Sequence, residues 1–313
     1  MPRRYHKSER PERETARLAP VMRALKALHS AAQPGAMTTE ELTRQRRSQE
    51  LLGRLAAPTA GLDWDEFELS GMKAAWSRLR VPHDGLHAIL YCHGGGYTSG
   101  NLGYSRVLAS KLARATGFDT LSFEYRLAPE SPYPAALDDA LAAWDHLMLL
   151  GYGAESVVLA GDSAGGNLAL ALCHRLRAAG RRIAGALLLM SPWTDMTMQG
   201  ESYDRCAELD PMLTRGYITA ARDAYAAGAD VKSPLLSPLF GDYANFPPTL
   251  IQVGDHEILY SDSAMLYDRL RAQNVPCRLE VAEDMWHVYQ MFPLKKSAAA
   301  IDSAARFLLE HRI

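Results

Sequence analysis

Apolar positions along the chain change period near residue 60. Before it, Leu18, Val21, Met22, Leu25 and Leu28 follow i, i+3, i+4, i+7 spacing and share one helical face. A second helix is predicted from Thr38, where Glu41 completes a capping box, and it carries Leu42, Leu51, Leu52 and Leu55. Pro34-Gly35 separates the two. After residue 60, short apolar runs alternate with helical stretches. Strands are predicted at Trp64–Leu69, Ala74–Val81, Ala88–Cys92, Asp119–Tyr125, Ser156–Ala160, Ala186–Met190, Thr249–Val253 and Cys277–Val281. Helices are predicted at Tyr104–Thr116, Pro134–Leu150, Gly166–Ala179, Ser261–Gln273 and Ser297–His311. Such alternation specifies an α/β chain with a mostly parallel sheet covered on both faces. Between Ser191 and Pro247 it breaks off, leaving one predicted helix (Thr214–Ala227) and the stretch Ser233-Pro-Leu-Leu-Ser-Pro. An insertion of this length is more often functional than idle, and it is expected over the carboxyl edge of the sheet.

Composition narrows the class without naming it. The 313 residues are 48% apolar and 22% charged, with a formal net charge of −2. Disorder is excluded, and no apolar run is long enough for a membrane-spanning helix. Near-neutral charge leaves no footprint for nucleic acid or an anionic membrane. Cys92, Cys173, Cys206 and Cys277 are too scattered for a disulfide scaffold or a zinc site, so no metal is expected. Met1–Arg17 is charged throughout and lacks the apolar core of a signal peptide, which predicts a cytoplasmic protein.

Two motifs carry chemistry. Gly161-Asp162-Ser163-Ala164-Gly165 lies between a predicted strand and a predicted helix, the setting of a nucleophile elbow on Ser163. His93-Gly94-Gly95-Gly96 follows the strand Ala88–Cys92. Chance would produce that string about 0.002 times in such a chain, and no phosphate-loop signature accompanies it. Its amides suit an oxyanion, with Gly94, Gly95 and Ala164 as donors and His93 as a structural residue. A serine needs a base. In the chain order Ser, acid, His, the candidates are His256, His287 and His311. His287 follows the strand Cys277–Val281 in a loop, where the base should emerge. For the acid, Asp255 and Glu257 both lie after the strand Thr249–Val253, and the residues alone do not choose.

These motifs resemble the hormone-sensitive-lipase-like branch of the α/β hydrolases. The resemblance runs from Ala88 to the last helix. It includes His93-Gly-Gly-Gly-Tyr97 with Gly100, Tyr125-Arg-Leu-Ala-Pro-Glu130 and Tyr133-Pro-Ala-Ala-Leu-Asp-Asp139. Gly161-Asp-Ser-Ala-Gly-Gly-Asn167, Ser191-Pro-Trp193 and Met285-x-His287 complete it. It implies an α/β-hydrolase fold and hydrolysis of small carboxylic esters of short to medium chain through an acyl-enzyme, with no cofactor. Lactones and acetylated small molecules are alternatives on the same triad. A ligand-binding receptor on the same scaffold is the alternative of another class. The family's catalytic Asp, about thirty residues before the histidine, is similar in position to Glu257 rather than Asp255. Asp284 stands where the family often has Gly. A cap is implied from residues 1–60 and 193–233, over a core of 61–192 and 234–313. Tyr97, Trp193, Met212, Leu213, Tyr217 and Trp286 are implied as pocket walls, each with an equally good core reading. Relatives often pair through the last strand, Cys277–Val281 here, so the partner the resemblance implies is a second copy of this chain in a homodimer.

Overall fold

The computed structural model describes residues 38–57, 60–83 and 85–313, with the isolated positions 20 and 24. The amphipathic face expected over Leu18–Leu28 lies outside these residues. The first described helix, α1, is Thr39–Ala56. Thr38 caps it, accepting the Glu41 amide on its hydroxyl and donating that hydroxyl to the Glu41 carboxylate. Leu42 is buried, whereas Leu51 faces solvent.

Eight strands form one sheet: β1 (Leu62–Leu69), β2 (Met72–Leu79), β3 (Ala88–Cys92), β4 (Asp119–Phe123), β5 (Val157–Asp162), β6 (Ala186–Met190), β7 (Thr249–Gly254) and β8 (Cys277–Ala282). Their spatial order is β1-β2-β4-β3-β5-β6-β7-β8. β2 runs antiparallel to both neighbours, and every other pairing from β4 to β8 is parallel. The expected α/β architecture is therefore present. Its five central strands are buried along their whole length, as continuous apolar runs in a two-sided parallel sheet require.

The helices α2 (Leu102–Thr116), α3 (Ala135–Leu149), α4 (Ala164–Ala178), α5 (Ser202–Arg205), α6 (Arg215–Ala226), α7 (Tyr260–Ala272) and α8 (Lys295–Glu310) follow in order. One apolar cluster joins Leu90, Leu121, Leu159 and Leu189 to Leu137, Trp144 and Leu168. A second joins Ile89, Tyr91, Val158 and Leu188 to Leu108, Leu112, Ile301 and Phe307. Alternate residues of one strand therefore feed opposite faces. The insertion between β6 and β7 holds α6, where a helix was expected at Thr214–Ala227, and also the short α5, which the pattern did not predict.

α1 meets α2 at two glycines. A Cβ on Gly53 would stand 2.1 Å from the Gly103 carbonyl oxygen, so only glycine allows the backbones this close. Arg46 then ties α1 to the segment after the glycine motif. Its guanidinium donates to the carbonyls of Thr98 (2.9 Å) and Ala128 (3.1 Å) and to both oxygens of Glu130 (2.9 Å each).

Candidate active site

β3 and β5 are neighbours, and the sheet's connections diverge there. In open α/β sheets a ligand crevice forms at such a point, beyond the carboxyl ends of the strands. The loop after β3 is His93–Gly100, and the turn after β5 is Ser163.

Ser163 has φ 53° and ψ −121°, a sparsely populated conformation for a side-chain-bearing residue. Its neighbours make the turn possible. A Cβ on Gly161 would meet the Gly165 carbonyl oxygen at 2.3 Å, and one on Gly165 would meet that of Cys92 at 2.0 Å. The strain is held in place by backbone bonds. Ser163 N–H donates to Met190 O at 2.9 Å, and Trp193 N–H donates to Ser163 O at 3.0 Å. α4 begins immediately after, with the Ala164 amide at its N-terminus.

The glycine loop is organised by Asp162. This fully buried carboxylate accepts the Tyr91 hydroxyl, the Tyr104 hydroxyl at 2.6 Å and the Gly94 amide at 2.9 Å. Burial pushes its pKa up, and the two tyrosine bonds oppose that. The expectation for Gly94 is thereby corrected. Its N–H is spent on Asp162 Oδ1, so it is not available to an oxyanion. Gly95 and Gly96 are the glycines that line the cleft. His93 is structural. Its Nδ1 bonds Gly94 O at 2.8 Å, its ring stacks on Tyr125 at 4.0 Å, and burial pulls its pKa down to about 4.

On the other side of the cleft, His287 Nδ1 lies 2.7 Å from Glu257 Oε2. Glu257 is wholly buried. Its Oε1 accepts the Ser191 hydroxyl at 2.8 Å and the Gly254 amide at 2.7 Å. Ser191 in turn accepts the Val288 amide at 3.1 Å, so one hydroxyl braces both the acid and the histidine loop. Asp255 is elsewhere. Its carboxylate faces His256 at 3.9 Å, and His256 also lies 3.9 Å from Asp284. Asp284 takes φ 59°, a left-handed turn that Asp tolerates. Burial, the largest influence, pulls the His287 pKa down. The Glu257 bond and the charges of Glu257, Asp210 and Asp162 together outweigh it, and the net shift is upward from 6.5.

Asp210 had no sequence signal beyond its place in the insertion. It is buried and accepts the amides of Met212 (2.8 Å), Leu213 (2.9 Å) and Ile258 (2.9 Å). It thus staples the insertion to the residue beside Glu257. Burial pushes its pKa up to about 6. Lys111 plays a similar part on the far side. Its ammonium donates to the carbonyls of Gln290 (2.7 Å), Met291 (2.9 Å) and Phe292 (3.2 Å), just beyond His287.

Ser163 and His287 line one cavity of about 100 Å³ with Met212, Leu213 and Tyr217, three of the six expected walls. The other three are core. Tyr97 stacks on Tyr225 at 3.6 Å and donates to Asn167 at 2.7 Å. Trp193 and Trp286 are fully buried, Trp286 packing edge-on to Phe292. Gln45, Gln49, Tyr104, Ile218, Val288 and Met291 complete the lining. Gln45, Gln49, Tyr104 and Ile218 lie on helices the pattern predicted, but which residues turn inward depends on how those helices dock.

The family described as alpha/beta hydrolase fold matches residues 89–291, about two thirds of the chain. A solved esterase of the bacterial hormone-sensitive lipase family superposes with a TM-score of 0.86 at 34% identity, covering 96% of this chain and 99% of the other. The protein belongs to the hormone-sensitive-lipase family of α/β hydrolases. An acetyl-hydrolase of Streptomyces hygroscopicus is 36% identical over 264 residues, 84% of this chain and 86% of that protein. An esterase of Acinetobacter venetianus is 35% identical over 206 residues, 65% of this chain and 68% of that one. This hormone-sensitive-lipase relative is accordingly a carboxylic ester hydrolase. No described helix is long and apolar enough to cross a membrane.

Proposed function

We propose that the enzyme cleaves esters with a short acyl chain through an acyl-enzyme on Ser163. The observation that carries this is the 2.7 Å contact of His287 Nδ1 with the buried Glu257, beside a cleft that Ser163 shares. With Nδ1–H donated to Glu257, the imidazole keeps Nε2 as acceptor for the Ser163 proton. Ser163 attacks the ester carbonyl, and the oxyanion is received by the amides of Gly95, Gly96 and Ala164. None of these three donates to an acceptor among the described residues. Each such donor contributes on the order of 3 kcal/mol to transition-state binding in comparable sites. His287 then protonates the departing alkoxide, and water repeats the sequence to free the acid. Glu257 orients the ring and stabilises the imidazolium.

A cavity of about 100 Å³ suits acetyl to butyryl groups better than long lipids. The name of the Streptomyces relative, an acetyl-hydrolase, agrees with this. The cap is composite in this reading. Gln45 and Gln49 of α1 meet Met212, Leu213 and Ile218 of the insertion around one cleft, so α1 and the insertion 193–233 are its two described parts. Ser163→Ala is the test. Purified mutant should lose at least ~10³-fold in kcat on p-nitrophenyl acetate and resist labelling by an organophosphate. Retention of most activity would defeat the assignment.

A further inference from the structure

Three residues lining the cleft carry hydroxyls: Ser163, Tyr104 and Tyr217. Two of these hydroxyls have assigned work. Ser163 is the nucleophile, and Tyr104 donates to Asp162 at 2.6 Å. The Tyr217 hydroxyl has no hydrogen-bond partner among the described residues. Nor is its oxygen closed off by protein, so it stays open to the cleft.

Its place is set by how α6 meets the glycine loop. A Cβ built on Gly96 would stand 3.2 Å from the Tyr217 hydroxyl oxygen and 3.3 Å from the Cβ of Ala221. The side chain that Gly96 lacks leaves room for this hydroxyl against the loop. α6 is held there along its length. Thr214 caps it and accepts the Tyr217 amide at 3.2 Å, and Ile218 and Ala221 are buried. At the far end, Tyr225 O accepts the Tyr133 amide at 2.8 Å, and the Tyr225 ring stacks at 3.6 Å on Tyr97, the residue after Gly96.

Gly96 is one of the three amides assigned to the oxyanion. We infer that Tyr217 is a further catalytic residue, its hydroxyl donating to the same oxygen from the insertion side. The inference rests on the esterase reading above. In the bound ester that oxygen is a neutral carbonyl. When Ser163 Oγ bonds to the carbonyl carbon and His287 takes the serine proton, the electron pair of the broken C=O π bond leaves the oxygen negative. A hydrogen bond to an ionised acceptor is about twice as strong as one to a neutral acceptor. The phenol therefore favours the transition state over the substrate and acts on kcat more than on KM. It also makes catalysis depend on the docked insertion, because the backbone donors come from the loops of the sheet and this one comes from α6.

Tyr217→Phe removes the oxygen and keeps the ring. The full-length variant should lose about 10- to 100-fold in kcat on p-nitrophenyl acetate, with KM within about threefold of wild type. Rates are counted per site titrated to completion with an organophosphate, so any loss of folded protein drops out. A short trifluoromethyl ketone, which adds to Ser163 and leaves an anionic oxygen where the ester carbonyl would sit, should bind the variant about 10- to 100-fold more weakly. Tyr217→Ala takes away the ring as well and moves KM, so it does not isolate the hydroxyl. A Tyr217→Phe kcat within twofold of wild type, whether or not KM rises, would overturn the inference, as would equal binding of the ketone by both proteins. Either result with Ser163→Ala inactive would sink this inference alone. Hydrolysis surviving in Ser163→Ala would sink the parent reading.

Discussion

At the scale of single residues, the site is a set of carboxylates with unequal roles. Glu257, Asp210 and Asp162 all face His287 and raise its pKa, and Glu257 alone touches it. A base whose folded pKa lies above 6.5 is protonated as pH falls through that higher value. The acid limb of kcat/KM should therefore sit above 6.5. Asp210→Asn removes one of the raising charges and keeps an acceptor for the Met212 and Leu213 amides, while giving up the one that Ile258 uses. Its limb should move to lower pH, as a pH–rate profile would show. Glu257→Gln should cost ~10³-fold or more in kcat, because the neutral amide cannot stabilise the imidazolium. Asp255→Asn should stay within about threefold of wild type. A large loss there and a small one at Glu257 would reverse the assignment. The residues alone left Asp255 and Glu257 both open, and the family resemblance favoured Glu257. Two residues of separation on a turn, where side chains point in different directions, decide which carboxylate reaches the imidazole.

Among the elements, the elbow, the glycine loop and the segments that line the cleft behave differently. The elbow was legible because its chemistry is local. Strand, glycines and helix are contiguous, and Ser163 has no freedom to be elsewhere. The glycine loop was legible only in part. The string His93-Gly-Gly-Gly identifies the loop, but the Asp162 carboxylate, 68 residues along the chain, takes the Gly94 amide. The walls were half legible. Tyr217 lies on α6 and faces the cleft, whereas Trp286 and Trp193 have the same aromatic character and face the core. Trp286→Ala should therefore cost ~3 kcal/mol or more of stability, seen as a lowered denaturant midpoint. Tyr217→Ala should leave stability nearly unchanged and alter KM. Equal effects of both on stability would show that Tyr217 too is packing.

For the molecule as a whole, a net charge of −2 and an apolar insertion wall give a neutral ester no long-range attraction to the site. kcat/KM for p-nitrophenyl acetate should change less than twofold between about 0.05 and 0.5 M salt, a range that strongly screens surface charges. An activity series on p-nitrophenyl esters should peak at about C2–C4 and fall beyond, and a maximum past about C12 would contradict the small cavity. The sequence by itself determined the sheet-forming runs, the break at 191–247, the elbow and the order Ser163, acid, His287. These follow from period, glycine placement and chain order, which are local. Only the tertiary structure decided that Glu257 meets His287, that Gly94 is spent on Asp162, and that α1 brings Gln45 and Gln49 to the cleft. Each of those depends on which groups distant in the chain come within hydrogen-bond reach. That is set by how whole elements pack, and no residue carries it alone.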